Sequence, residues 1–143
     1  MTEAIVGDMV TPRTPVVNAA PVDSGRTALL AEPDVELAGC YSAYLGRHGY
    51  AVEQTSDGRQ ALVKAMAVPS PGIIVTNTSL HGIDGYSLVE LLRTDSLTSR
   101  IPIIVLTTQT EAKAARLVEQ ARADAVLVQP IRAEALYEEI LRV

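Results

Sequence analysis

The stretch that decides the fold is Gly72–Arg93, GIIVTNTSLHGIDGYSLVELLR. It opens with an apolar run, Gly72–Val75, which has the length and composition of a buried strand. Polar residues follow at Asn77–Ser79, and Asp84 then stands in the N-cap position of a helix. The apolar residues of that helix are spaced for one face: Leu88, Leu91 and Leu92. The stretch therefore predicts a strand, a polar loop and an amphipathic helix, in that order.

The same unit repeats along the chain from Thr27 onward. Four runs are apolar on successive residues, as in strands that helices cover on both faces: Thr27–Ala31, Gly72–Val75, Ile103–Leu106 and Val126–Val128. Ala51–Gln54 alternates instead and is predicted to be an edge strand. Five apolar stripes have helical spacing: Leu37, Cys40, Tyr41, Tyr44 and Leu45; Leu62, Ala65 and Met66; Leu88, Leu91 and Leu92; Ala114, Leu117, Val118 and Ala121; and Ala133, Leu136, Tyr137, Ile140 and Leu141. This alternation predicts an α/β fold in which helices cover both faces of a parallel sheet.

Aspartates and a glycine mark the predicted ends of these helices. Asp34, Asp57 and Asp84 each precede an apolar stripe, where a carboxylate accepts hydrogen bonds from free backbone N–H groups. His48–Tyr50 ends the first helix with a glycine stop. Within that helix Cys40 lies on the apolar stripe, so we expect it to be a core residue.

Composition excludes several classes of protein. The chain has 143 residues, 48% apolar and 20% charged, which is enough for one core. A formal net charge of −5, and five tyrosines with no Phe or Trp, argue against a nucleic-acid binder. One cysteine excludes a disulfide framework, and no apolar run is long enough for a membrane span or a signal peptide. Residues 1–26, which hold Pro12, Pro15 and Pro21, are predicted to be a flexible tail before a domain at 27–143. We expect a cytoplasmic protein.

Short polar clusters follow four of the predicted strands. They are Glu32–Asp34, Asn77–Ser79, Thr107–Thr108 and Gln129–Pro130. In sheets of this kind, functional residues gather at the carboxyl ends of the strands. These four clusters are therefore the candidate site.

The segments that carry these clusters resemble a known family. TALLAEPDVEL, GIIVTNTSLHGIDGYSLVELLR, IPIIVLTT and ADAVLVQPI are similar to the strand ends of the response-regulator receiver domain, the CheY-like module of two-component signalling. The resemblance implies a flavodoxin-like (βα)5 three-layer sandwich with strand order 2-1-3-4-5. It also implies a site that takes a phosphoryl group from a histidine kinase onto an aspartate, with Mg²⁺.

Several residues depart from the pattern that the resemblance implies. The phosphoacceptor aspartate falls on Asn77, and the acidic pair falls on Glu32 and Pro33. A primary amide has no nucleophilicity comparable to that of a carboxylate at neutral pH. Mg²⁺ prefers carboxylate oxygens, and only Glu32 remains as a candidate ligand. We therefore expect no phosphorylation at Asn77, no cofactor, and weak or absent binding of Mg²⁺.

The remaining positions of the pattern complete this prediction. The family lysine falls on Gln129, the switch threonine is retained as Thr107, and the aromatic switch position is Val126. A lysine at 129 would lack partners once two carboxylates and the metal are gone, and a buried unpaired charge costs several kcal/mol. The predicted pocket is neutral and polar, lined by Asn77, Thr78, Thr107, Thr108 and Gln129. From the resemblance we also expect a cis peptide at Gln129–Pro130.

These features predict a stand-alone, atypical receiver that is not an enzyme and signals or scaffolds without aspartate phosphorylation. We expect protein partners: a histidine kinase, another response regulator, or a second copy bound through the fourth helix, fifth strand and fifth helix. Basic residues on or near this face are Lys113, Arg116, Arg122 and Arg132. Several glutamates lie beside them, and such a mixture of charges is typical of an ordinary solvated face. We expect no direct binding to nucleic acid or membrane.

Two alternatives stay open. The neutral pocket could accept a polar metabolite, which would make the chain a small-ligand sensor. A Ser/Thr kinase could instead modify Thr76, Thr78 or Ser79. His81 has no neighbouring histidine or cysteine at metal-binding spacing, so we expect no metal there.

Overall fold

The computed structural model describes residues 26–108, 110, 113, 116 and 120–143. In this part of the chain a five-stranded sheet has the order β2-β1-β3-β4-β5, and each neighbouring pair is parallel. The strands are β1 (Thr27–Ala31), β2 (Ala51–Thr55), β3 (Ile73–Asn77), β4 (Ile103–Thr107) and β5 (Ala125–Val128). The predicted fold class and strand order are confirmed. The predicted tail lies outside the described residues, except for Arg26.

Helices cover both faces of this sheet. They are α1 (Val35–Arg47), α2 (Gly58–Ala65), α3 (Gly85–Thr94) and a C-terminal helix (Ala133–Arg142). α1 and the C-terminal helix share a core with one face, whereas α2 and α3 share a core with the other. The centre of each core is fully buried, as at Leu45 and Leu136 on the first face and Leu88 and Leu92 on the second. No helix among the described residues is long and apolar enough to cross a membrane.

Some predicted core positions were wrong. Cys40 is exposed, and Leu91 and Leu141 are 45% and 62% exposed. Each lies at the border of its stripe, where helical rotation carries a side chain away from the sheet. On α1 the small Ala38 is buried in the core in which Cys40 was expected.

The fourth predicted stripe is described only in part. Ala121 is buried, as expected, and Ala123 lies in the same core. Ala114, Leu117 and Val118 lie outside the described residues. The strand that follows, β5, is half-buried along its length because it forms an edge of the sheet.

The predicted helix ends are confirmed. The Asp34 side chain accepts hydrogen bonds from the backbone N–H groups of Glu36 and Leu37, and Asp57 and Asp84 cap α2 and α3 in the same way. After α1 the chain turns at Gly49, whose φ of 92° lies in the left-handed region that favours glycine.

Gly85 lets the start of α3 approach the end of β3. A Cβ atom at Gly85 would collide with the backbone oxygen of Asn77 and would lie 2.8 Å from Cα of Thr78. The backbone N–H of Gly85 donates to the Thr78 carbonyl at 3.0 Å. The first turn of α3 therefore lies directly against the backbone at Asn77.

Candidate functional site

Strand register brings three of the predicted site residues to one edge of the sheet. Ala31 at the end of β1 pairs with Thr76, so Glu32 and Asn77 follow side by side. Thr107 at the end of β4 pairs with Val128, so Gln129 follows on the other side of Asn77. The carboxyl ends of β1, β3 and β5 thus place Glu32, Asn77 and Gln129 in one cluster.

The side-chain amide of Asn77 holds this cluster together. Its Nδ2 donates to Oε1 of Glu32 at 3.0 Å and to Oε1 of Gln129 at 3.1 Å. Its Oδ1 accepts from the backbone N–H of Ser79 at 2.8 Å. An amide nitrogen has two protons to donate, so both are used.

Glu32 is the buried charge of the cluster. Only 3% of the residue is exposed, and among the described residues it is the sole charged side chain in the buried class. Its Oε2 accepts from the backbone N–H of Asp34 at 3.0 Å. The cluster therefore contains one acidic side chain beside two neutral amides. Pro33 is half-buried beside it and brings no polar side chain.

The other predicted positions lie around this cluster. Thr107 is fully buried, and its carbonyl accepts from the backbone N–H of Gln129 at 2.7 Å. Val126 packs against the core on the α2 and α3 face of the sheet. Thr78 is half-buried, and the peptide between Gln129 and Pro130 is cis, as expected.

A groove of about 320 Å³ lies beside Gln129. Thr108, which is exposed, also lines it, but most of its walls are apolar: Leu37, Tyr41, Pro130 and Ile131. Of the residues predicted to line a polar pocket, Thr108 and Gln129 are among those that line this groove.

Tyr41 is a site residue that the sequence reasoning missed. Its hydroxyl donates to the backbone oxygen of Ile131 at 2.9 Å and joins α1 to the loop after β5. Burial raises the pKa of the Tyr41 phenol, a hydrogen bond with Gln129 lowers it, and the nearby charge of Glu32 raises it further. A tyrosine in the middle of an apolar stripe was the available signal, because a buried hydroxyl needs a partner.

The basic residues of the predicted docking face are all exposed: Lys113, Arg116, Arg122 and Arg132. Arg132 stands in the N-cap position of the C-terminal helix and makes no capping hydrogen bond with its side chain. His81 is also exposed, and its backbone carbonyl accepts from the N–H groups of Gly58 and Ile83. Within the described ranges, no group of three or more His, Cys, Asp or Glu side chains is placed to hold a metal ion.

Comparison with known proteins agrees with the fold. Residues 28–141 match the response regulator receiver domain. The chain belongs to the response regulator receiver family. This receiver is 30% identical over 112 residues to the gliding motility regulatory protein of Myxococcus xanthus, a match that covers 78% of this chain and 14% of that protein. It is 32% identical over 91 residues to the transcriptional regulatory protein GltR of Pseudomonas aeruginosa, covering 62% and 36% of the two chains. The receiver thus spans a minor part of these curated relatives.

Solved structures are similar over more of their length. The chemotaxis response regulator CheY4 of Vibrio cholerae superposes with a TM-score of 0.75 at 28% identity, covering 81% of this receiver and 96% of that chain. The receiver domain of the sensor histidine kinase PA1611 from Pseudomonas aeruginosa PAO1 gives 0.73 at 28% identity, covering 82% and 96%. That structure has a magnesium ion coordinated in its active-site cleft.

Proposed function

We propose that this receiver is a phosphorylation-independent signalling or scaffolding module that acts through contact with another protein. The observation that carries the proposal is the amide of Asn77, which donates to Glu32 and Gln129 at the edge of the sheet. Asn77, at the end of β3, therefore serves as a hydrogen-bonded link to the residues that follow β1 and β5.

The chemistry of an amide supports this proposal. Transfer of a phosphoryl group needs a nucleophile with an available electron pair, and the nitrogen of a primary amide lends its pair to the carbonyl. The amide oxygen of Asn77 already accepts from Ser79. Neither atom is a competent acceptor for a phosphoryl group.

The donor set does not fit Mg²⁺. This ion demands near-octahedral oxygen ligands and is usually bound through carboxylates. Glu32 offers one carboxylate, Pro33 offers none, and Asn77 directs its N–H groups toward Glu32 and Gln129. We therefore assign no metal-dependent step to this site.

The partner that we propose is a protein of the same signalling class: a histidine kinase, another response regulator or a second copy of the chain. The exposed basic residues support a docking face at Arg122 and Arg132, since neither pairs with an acidic side chain within the described residues. Small-ligand sensing is the second candidate, and the groove beside Gln129 is the feature that favours it.

Acetyl phosphate tests the first part of the proposal. The purified chain, incubated with acetyl phosphate and MgCl₂, should show no hydroxylamine-sensitive phosphoryl adduct in its intact mass. The variant Asn77→Asp should also stay unmodified, because Pro33 and Gln129 remain. The triple variant Pro33→Asp, Asn77→Asp, Gln129→Lys is the positive control. A stoichiometric acyl phosphate on the unaltered chain would overturn the proposal.

Affinity capture tests the docking face. The double variant Arg122→Glu, Arg132→Glu should lose partners that the unaltered chain captures. Arg59→Glu reverses an exposed charge on α2 and is the matched control. Equal capture by all three proteins would exclude this face.

A further inference from the structure

A second depression lies against Glu32, between the start of α1 and the end of β2. Its volume is about 300 Å³, at the lower end of the range for small-molecule sites. The residues that line it include Glu32, Val35, Ala38, Gln54, Ser56 and Gln60. We call it the α1–β2 cleft. None of the residues of the groove beside Gln129 lines it.

Glu32 is the acidic residue among those that line this cleft. Its hydrogen bonds come from neutral donors, the amide of Asn77 and the N–H of Asp34. No basic side chain of the described residues forms an ion pair with it. A carboxylate has about four lone-pair positions, so each oxygen keeps one for a further donor. Buried charges in proteins are normally paired, and no cationic side chain within the described residues pairs with this one.

The other walls of the cleft suit a donor attached to a hydrocarbon chain. Gln54, Ser56 and Gln60 bring neutral oxygen acceptors, and Gln60 already accepts from Thr55 Oγ1 at 3.1 Å. Val35, which is 75% exposed, and Ala38 bring apolar surface. An alkylammonium group has three donors and no acceptor, which matches one carboxylate among neutral oxygens. A lone carboxylate with amides is a poor octahedral set for Mg²⁺.

We propose that the α1–β2 cleft binds a primary alkylammonium group, with Glu32 as its counter-ion. Free amines and the lysine side chain of a partner protein share this chemistry. The proposal is independent of phosphorylation at Asn77, so the acetyl phosphate experiment and the amine experiment can fail separately.

The test is an NMR titration of the full chain with n-butylammonium chloride. The side-chain amide signals of Gln54 and Gln60 should shift and saturate, whereas NaCl at equal ionic strength should leave them in place. Glu32→Gln should weaken binding about tenfold or more, because it removes a charged hydrogen bond. Glu36→Gln, an exposed acidic residue in the first turn of α1, is the matched control and should bind unchanged.

A blocking variant keeps the test valid if Glu32→Gln fails to fold. Ser56→Tyr fills the cleft from an exposed position and should abolish the shifts while the circular dichroism spectrum stays unchanged. Nα-acetyl-lysine methylamide is the second probe. If both probes bind, the cleft accepts free amines as well as the lysine side chain of a protein. If only the lysine derivative binds, the site is specific for a lysine of a partner protein. MgCl₂ binding at lower concentration than either amine, or no saturable shift with either, would overturn the proposal.

Discussion

The amide nitrogen of Asn77 lies 3.0 Å from Oε1 of Glu32, so a neutral donor at the end of β3 binds a buried carboxylate that directly follows β1. The same nitrogen reaches Gln129 at 3.1 Å. This second contact joins the ends of β3 and β5, which are not neighbours because β4 lies between them.

Asn77→Asp should destabilise the fold at neutral pH. It removes both donations and places a second carboxylate beside Glu32, which should cost about 2–4 kcal/mol of unfolding free energy. Burial and repulsion raise the pKa of the introduced carboxyl group above its unfolded value. Its contribution to stability is therefore retained below about pH 4 and lost as the pH rises. Urea denaturation of Asn77→Asp and the unaltered chain, near pH 4 and near pH 7.5, measures how the loss of stability depends on pH.

The charge-swapped variant Glu32→Gln, Asn77→Asp is the control for that result. It restores one donor and one carboxylate across the same 3.0 Å contact. It should recover most of the loss seen in the single variant. If Asn77→Asp lost the same unfolding free energy at both pH values, the electrostatic explanation would be wrong.

Tyr41→Phe should reduce stability by about 1 kcal/mol at neutral pH, because the backbone oxygen of Ile131 loses its buried donor. At alkaline pH the difference in unfolding free energy between the unaltered chain and Tyr41→Phe should shrink or change sign. Because the pKa of Tyr41 is raised in the folded protein, the contribution of its phenol to stability is fully present below about pH 10. That contribution is lost as the pH rises through the pKa of Tyr41 in the folded protein. Chemical denaturation from about pH 8 to pH 11.5 measures it. The matched control is Tyr44→Phe, which removes the hydroxyl group of a less buried tyrosine. If the unfolding free energies of the two variants depended on pH in the same way, the prediction would be wrong.

Arg93→Lys should be far more costly than a surface arginine change. The Arg93 guanidinium, whose side chain is 8% exposed, donates to the backbone oxygens of Ser99, Ile101 and Arg122 and pairs with Asp124 at 2.9 Å. A lysine cannot span this fork, so we expect a loss of about 2–3 kcal/mol. Arg142→Lys, at a pair that is open to solvent, should change stability by less than about 0.5 kcal/mol. Thermal unfolding of the two variants decides the comparison.

Gly85→Ala and Gly39→Ala should have opposite effects. At Gly85 the added methyl group meets the backbone of Asn77 and Thr78, and overpacking of this kind costs about 1–3 kcal/mol. At Gly39, inside α1, nothing lies within 4 Å, so alanine should stabilise by about 0.5–1 kcal/mol. Equal denaturation midpoints for the two variants would contradict the close packing of α3 against the site.

Much of this molecule could be predicted because its signals are local. The strand Thr27–Ala31 and the caps at Asp34, Asp57 and Asp84 depend on neighbouring residues alone, and the structure has them where expected. The exposure of Cys40 could not be predicted in this way. Periodicity defines a broad stripe, whereas the rotation of the helix on the sheet depends on the packing of Ala38 and Leu45.

The site likewise has features that the sequence predicts and features that depend on packing. The meeting of Glu32, Asn77 and Gln129 follows from parallel strands that end at one edge of the sheet. The direction of the Asn77 amide does not follow, because it depends on where a buried carboxylate needs a donor. The contact of Tyr41 with Ile131 joins residues 90 positions apart and has no signature in either segment.

The exposed position of Cys40 has a practical consequence. It is the one cysteine in the sequence, so a thiol-reactive fluorophore or spin label would attach at a single place without mutagenesis. That place is on α1, one residue from Tyr41 and on the helix that borders both the groove and the cleft. The chain thus carries a ready attachment point from which occupancy of either depression can be followed optically in the unmodified sequence.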